Sequence, residues 1–353
     1  MSQLIKIEKR RVVVTGGAGF IGSHLVDRLL QADNSVVVVD DFSSGSPENL
    51  AEHRGHRHLS LENADVRDER TLCDLFSQAE FVFHLATRNV RRSLTHPTEV
   101  HDVNVNGTLT VLKAAAQSGV QRLLYCSSSE VNGTADVVPM TEDYRFRPET
   151  IYGASKLAGE YYANVFHRSG WLDTVIARPH NNYGPREHFA GNKGEVIPRF
   201  ILWGLAGQPL RVYGSGQQTR DFTYVVETAD YLVRLLECDA ALGQAVNVCR
   251  GEEVSVAKVA ELIRELTGGR SEIEHLAARP SDVERLFGDA SRLKSLVGNS
   301  PCVGIETGLA RTIDWFRIHV PLGVATQELL PINSWQSEPV EPWMQSLRQR
   351  DAA

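Results

Sequence analysis

Tyr152 and Lys156 stand four residues apart in IYGASKLAGE, at the start of a helical pattern, so both side chains face the same way. A phenol beside an ammonium suits proton transfer. A positive charge within ~4–6 Å lowers a phenol pKa by about one to three units from its usual value near 10. Tyr152 can then take a hydroxyl proton near neutral pH, with Lys156 as its electrostatic partner. Ser127, Ser128 and Ser129 end the apolar run RLLYCS. Ligands of open parallel sheets bind beyond the carboxyl ends of the strands, so these hydroxyls are expected at the same crevice.

A second constellation lies between Arg11 and Gly22, in RVVVTGGAGFIG. Gly16, Gly19 and Gly22 follow an apolar strand and open an amphipathic helix, with Phe20 and Ile21 in its first turn. This order suits a pyrophosphate: a tight turn, a close backbone approach, then a helix N-terminus facing the anion. Asp40, at the end of SVVVVD about twenty residues on, can accept both hydroxyls of an adenosine ribose. The same carboxylate repels a 2′-phosphate, and DDFSSGS after it holds no Arg or Lys. NAD is therefore expected rather than NADP, and its nicotinamide cation would further favour a Tyr152 phenolate.

These residues need a scaffold. Strand-like runs at His58–Glu62, Phe81–Ala86, Arg122–Ser127 and Asp173–Pro179 alternate with helical stretches near Arg70–Phe76, Val100–Ser118 and Tyr152–Ser169. Alternation of this kind predicts an α/β fold with a doubly wound parallel sheet of Rossmann type. Beyond Pro179 the segment NNYGPREHFAGNKG reads as a long functional loop, and shorter elements follow it. We expect an NAD-binding domain over residues 1–179, interleaved with later strands. A smaller C-terminal α/β substrate domain is expected over 180–320, and a proline-containing tail over 321–353.

The chain has 353 residues and a formal net charge of −7, unlike the basic surface of a nucleic-acid binder. No apolar run approaches the ~20 residues of a membrane helix, and MSQLIKIEKRR lacks the apolar core of a signal peptide. The five cysteines are an odd number and far apart, which fits reduced thiols in a cytoplasmic protein. His53, His56 and His58 match no ligand spacing and read as a solvated loop, so no metal is expected.

The motifs TGGAGFIG, HLA (His84–Ala86), NVNGT, SSSEVNG, YGASK, RPHNNYGP and TRDFTYV occur in the order seen in extended short-chain dehydrogenase/reductases. Over about Arg11–Phe316 the chain resembles the nucleotide-sugar epimerase/dehydratase group, most closely its UDP-hexose 4-epimerase-like branch. The resemblance implies Ser128, Tyr152 and Lys156 as catalytic residues, with Asn104 supporting Lys156 or its water. It implies Asp65 and Val66 beside the adenine, and Leu85 and Ala86 along the cofactor. Asn181 and Arg220 would hold the substrate diphosphate, and Arg279 and Asp282 its other phosphate or ribose. Ser129, Glu130, Val196, Arg211 and Tyr213 would complete the substrate site. A homodimer through the two long helices is also implied.

Two positions depart from the pattern. Asn132 replaces a usual tyrosine, and Glu130 makes the serine run look like that of UDP-glucuronate decarboxylases and some dehydratases. Ser129 is a poor acid, so dehydratases with an Asp-Glu pair are not matched. Asp221 after Arg220 is epimerase-like. Arg88, Arg91 and Arg92 either receive a hexuronate carboxylate or form a solvated helix start. The reading that results is an NAD-dependent 4-epimerase of a UDP-hexose or UDP-hexuronate, working through a transient 4-keto sugar. The alternatives are decarboxylation of UDP-glucuronate or dehydration from the same intermediate, and a non-catalytic NAD-binding regulator.

Overall fold

The computed structural model describes residues 5–191, 194–278, 284–298, 303–323 and 339–345. Its centre is a sheet of seven parallel strands, six of which follow one another through the first half of the chain. β1 (Arg11–Thr15) leads through the glycine turn into α1 (Phe20–Leu30), then β2 (Ser35–Asp40) and β3 (Leu59–Asn63). α2 (Glu69–Phe76), β4 (Phe81–His84) and two short helices, α3 (Val90–Ser93) and α4 (Pro97–His101), come next. α5 (Gly107–Gln117), β5 (Arg122–Cys126), α6 (Ile151–Arg168) and β6 (Asp173–Pro179) complete this half. The valines of β1 and β2 are buried because helices cover both sheet faces, which explains runs of apolar residues without alternation.

The chain then leaves the sheet. β7 (Asn181–Tyr183), α7 (Val196–Leu205), β8 (Leu210–Tyr213), β9 (Thr219–Arg220) and β10 (Phe222–Tyr224) follow. It returns in α8 (Val225–Glu237), which packs on α1, and in β11 (Ala245–Val248), which pairs with β6. The strand order is thus β11-β6-β5-β4-β1-β2-β3. β12 (Val254–Ser255), α9 (Val256–Leu266), β13 (Ile273–Leu276), β14 (Arg285–Leu286) and α11 (Ile305–His319) end the second lobe, while α10 (Ser291–Val297) between them packs on β11 and α8 of the first. The second lobe's own core holds Phe200, Trp203, Ile263 and Phe316, separate from the two cores on the sheet faces. Part of the tail packs back on the first lobe, where the Thr98 N–H donates to Glu341 (3.0 Å).

One expected element is broken. The stretch read as a single helix over Val100–Ser118 is α4, a π-helical turn at Asp102–Asn106, and then α5. The extra residue of a π turn changes the direction of the side chains inside it, and such turns concentrate at functional sites. Here Asn104 is buried within the turn. No helix among the described residues is long and apolar enough to cross a membrane.

Candidate active site

The carboxyl ends of β1, β2, β4, β5 and β6 open on one cavity of about 400 Å³, closed from above by residues of the second lobe. Gly16, with φ +71°, lets the turn after β1 close, and a Cβ there would lie 2.6 Å from the Ala86 nitrogen. At Gly22 a Cβ would lie 2.1 Å from the Gly16 carbonyl oxygen, so α1 can approach β1 only without a side chain. Gly19 is the N-cap of α1, and no side chain caps the helix. Its first N–H groups are therefore available to an anion. Asp40 lines the same cavity, and its two oxygens accept the Ala18 (3.0 Å) and Phe42 (2.9 Å) N–H groups. A carboxylate oxygen accepts more than one bond, so both retain capacity for hydroxyl donors. Phe20, Ile21, Val66, Leu85 and Ala86 complete this end. The residues present fit a dinucleotide.

The other end holds the proton-transfer groups. Thr150 caps α6 by accepting the Gly153 N–H (3.0 Å), which sets Tyr152 in the first turn. Gly153 lets that turn sit against the segment after β5, since a Cβ there would lie 2.6 Å from the Glu130 carbonyl oxygen. The approach puts the phenol on the same cavity wall as Ser128, whose hydroxyl accepts the Glu130 N–H (3.2 Å). One helical turn on, the Lys156 ammonium lies 4.8 Å over the Tyr125 ring, and the Tyr125 hydroxyl donates to the Lys156 carbonyl (3.1 Å). Burial lowers the Lys156 pKa to about 8, with Cys126 and Glu160 opposing the shift.

The Tyr152 phenol, expected from the sequence to be depressed, is instead pushed up: burial raises its pKa, Ser128 opposes that, and Cys126, Glu130 and Glu195 raise it further. The spacing of Tyr152 and Lys156 could not show that two carboxylates from other segments face the phenol. Glu130 is itself half-buried at the cavity wall. Its carboxyl is raised by burial, lowered by Arg220 and raised by Glu149.

Ser129, Asn181 and Val196 also line the cavity. The Asn181 side-chain oxygen is buried without a partner, as expected of a group awaiting a donor. Other expected residues lie elsewhere. The Asp65 carboxylate is bound by Arg67 (2.9 Å to Nε) and is not part of the cavity wall. Arg211, over the Trp203 ring and 3.4 Å from Glu274, and Tyr213 on the same strand belong to the second lobe outside the wall. Arg220 is not in the wall either, although its charge reaches Glu130. Arg279, Asp282 and Cys302 lie outside the described residues. Asn104, implied as support for Lys156 or its water, donates to Ser155 Oγ (2.9 Å) and brackets the backbone of Arg88.

The three arginines after β4 are each paired with carboxylates, and they differ in exposure: the side chains of Arg88, Arg91 and Arg92 are 12%, 29% and 39% exposed. Arg88 binds Asp41 and Glu99, Arg91 binds Glu195 and the Gly194 carbonyl, and Arg92 binds Glu99. Asn132 and Asp221 prove to be anchors. Asn132 donates to the Tyr144 and Arg145 carbonyls, and Asp221 accepts the Arg250 and Gly251 N–H groups. Burial raises the Asp221 carboxyl to about 6, against these two bonds.

Some features had little sequence signal. Ser127 does not point into the crevice as a free hydroxyl: it donates to Glu160 (2.6 Å), which holds buried Arg178 at 2.8 and 2.7 Å. This pair anchors α6 to β5 and β6 beneath Tyr152. Glu187 and Glu195 stand in the wall at the sugar end. Glu187 is 96% buried by the complement of its 4% exposure, and burial and Glu195 push its carboxyl well above the usual range. Only the composition of the loop NNYGPREHFAGNKG pointed to this region.

Known proteins share this arrangement. The family described as NAD dependent epimerase/dehydratase matches residues 12–249. UDP-glucose 4-epimerase of Mycolicibacterium smegmatis is 37% identical over 311 residues, covering 87% of this chain and 98% of that protein. UDP-glucuronic acid decarboxylase 1 of Xenopus tropicalis is 35% identical over 316 residues, 88% of this chain and 73% of that protein. The structure of UDP-N-acetylglucosamine 4-epimerase from Methanobrevibacter ruminantium, in complex with UDP-N-acetylmuramic acid, superposes with a TM-score of 0.84 at 33% identity. That likeness covers 88% of this chain and 99% of the other. With the glycine cradle, the ordered motifs and the parallel sheet, these matches place the chain in the NAD-dependent epimerase/dehydratase family, with NAD as its cofactor.

Proposed function

We propose that the protein is a nucleotide-sugar 4-epimerase acting on a UDP-linked neutral hexose. The observation that carries this reading is the sugar end of the cavity. Ser128, Tyr152 and Lys156 line it together, while Arg88, the one of the three arginines in the wall, is bound by Asp41 and Glu99, and Arg91 and Arg92 behind it are bound by Glu195 and Glu99. A hexuronate carboxylate entering there would face Glu130, Glu187 and Glu195 with those cations already engaged. Desolvating an anion among carboxyls is unfavourable, and a hydroxymethyl group meets no such opposition.

In this reading Tyr152 takes the C4 hydroxyl proton and later returns it, and Ser128 orients the phenol and the sugar hydroxyl. Lys156 carries the charge that stabilises a phenolate, and the Asn181 side-chain N–H groups donate to the substrate diphosphate, leaving its oxygen for a sugar or ribose hydroxyl. Gly16, Gly19 and Gly22 seat the cofactor pyrophosphate, and Asp40 its adenosine ribose. When bound, NAD supplies the reversible hydride acceptor for C4 and a positive charge. Turning of a 4-keto sugar within the cavity would present its other face to the cofactor groove, and Tyr152 would then return the proton to O4.

A UDP-glucuronate decarboxylase is the second reading, favoured by the half-buried Glu130 carboxyl in the wall. Mass spectrometry and NMR of products from UDP-glucose, UDP-N-acetylglucosamine and UDP-glucuronate decide the matter. A neutral UDP-hexose converted to its C4 epimer at unchanged mass is the expected result. Loss of carbon dioxide from UDP-glucuronate supports the second reading, loss of water supports dehydration, and no product with any sugar supports a regulator. We further propose a cytoplasmic homodimer. α6 and the loop before it expose Tyr161, Val165, Ile151 and Phe146, a patch suited to pairing with the same face of a second copy.

A further inference from the structure

We propose that Arg88 is a latch over the cofactor groove, tying the loop after β4 to the loop after β2 so that bound NAD leaves only when this tie opens. The proposal rests on the glycine turn being the seat of NAD.

The topology makes the tie a bridge. β1 lies between β4 and β2 in the sheet, so a bond from the β4 loop to the β2 loop crosses the end of β1, where the glycine turn sits. Arg88 makes that crossing. Its NH2 group donates to Asp41 (2.8 Å) and its NH1 group to the Ser43 hydroxyl, both in the β2 loop. Its Nε donates to Glu99 (2.7 Å), on α4. The guanidinium is thus held on two sides by carboxylates, the geometry in which charge-assisted hydrogen bonds are strongest.

Both ends of the bridge are fixed. The Arg88 N–H donates to Asn104 Oδ1 (2.7 Å), and Asn104 Nδ2 donates back to the Arg88 carbonyl (3.1 Å). The π turn that broke the expected helix is what carries Asn104. At the far end, the β2 loop lies directly on the glycine turn. The Ser46 N–H donates to the Ala18 carbonyl (3.0 Å), and a Cβ on Gly45 would lie 2.8 Å from the Ala18 carbonyl carbon. Arg88, Asp41, Ser43 and Gly45 all line the cavity. A residue that only decorated the surface would not join these three segments around it. Arg88 acts here as a positioning residue for the loop above the dinucleotide.

The test measures NAD release from purified holoprotein by exchange against isotopically labelled NAD. Arg88→Met is expected to speed release about 10- to 100-fold, the scale of losing charge-assisted hydrogen bonds. Asp41→Asn should speed it in the same direction, and the double variant should add little beyond Arg88→Met, since the two residues share one interaction. Arg88→Lys, which keeps the charge but not the fork, should fall between. The NAD-dependent rise in melting temperature should shrink in the same order. A folded Arg88→Met that releases NAD at the wild-type rate overturns the proposal. So does a lower melting temperature of the NAD-free protein with unchanged release, the mark of a purely structural role. If Arg88→Met changes only the KM for UDP-glucuronate, the residue receives substrate and the proposal fails. A wild type that neither carries nor takes NAD defeats the underlying reading of the glycine turn, and the latch with it.

Discussion

The cofactor end of the cavity is largely backbone from one stretch of chain, residues 16–45, whereas its sugar end takes side chains from distant segments around Ser128, Tyr152, Glu187 and Glu195. At the first end the decisive atoms are those that are missing: a Cβ on Gly16 or Gly22 would collide with neighbouring backbone. At the second end the decisive quantities are charges. Glu130 and Glu195 raise the phenol, and Arg91 and Glu195 neutralise one another. One end is steric and intolerant of added atoms. The other is electrostatic and tunable one group at a time.

The largest effect is expected at the sugar end. Tyr152→Phe removes the proton-transfer group and should reduce turnover by roughly 10²–10⁴-fold while NAD and UDP-sugar still bind. Steady-state kinetics with binding titrations measure both, and a near-normal rate would break the assignment. At the cofactor end, Gly22→Ala should cost about 1–3 kcal/mol of stability through overpacking and weaken NAD binding together with it. Thermal melting with and without NAD checks this; a variant that binds NAD normally would show that the α1–β1 contact does not need its glycine. The smallest effect sharpens the comparison within the sugar end. Epimerisation needs no group acting at C5, so Glu130→Gln should lose less than about tenfold in rate, under ~1.4 kcal/mol of transition-state stabilisation. A loss of about 10³-fold, with carbon dioxide or water released by the wild type, would favour the alternative chemistry.

The same division governs what could be read in advance. The glycine turn, Asp40 and the Tyr152/Lys156 pair are local patterns, because their function depends on neighbours within one turn or one βαβ unit. The alternating elements likewise predicted a parallel sheet, since each strand and helix is set by its own run of residues. Asn104 is legible as a polar residue near the site, but its bonds to Ser155 and to the Arg88 backbone are not. A π turn is a small energetic choice within a helix and leaves no clear pattern in GTLTVLKAAA or the residues before it. The arginines after β4 were legible as cations, but not as cations already bound by Asp41, Glu99 and Glu195.

From its amino acids alone this chain determined its fold class, its NAD cofactor and its kinship with the epimerase/dehydratase family, because each depends on short-range order repeated along the chain. Only the tertiary structure decided the electrostatics of the sugar end, the burial of Glu187, the partners of Asn104 and the span of Arg88 across the end of β1. Those depend on Coulomb and desolvation energies between groups dozens to more than a hundred residues apart. Such energies are set by distance and burial, and neither exists until the chain has folded.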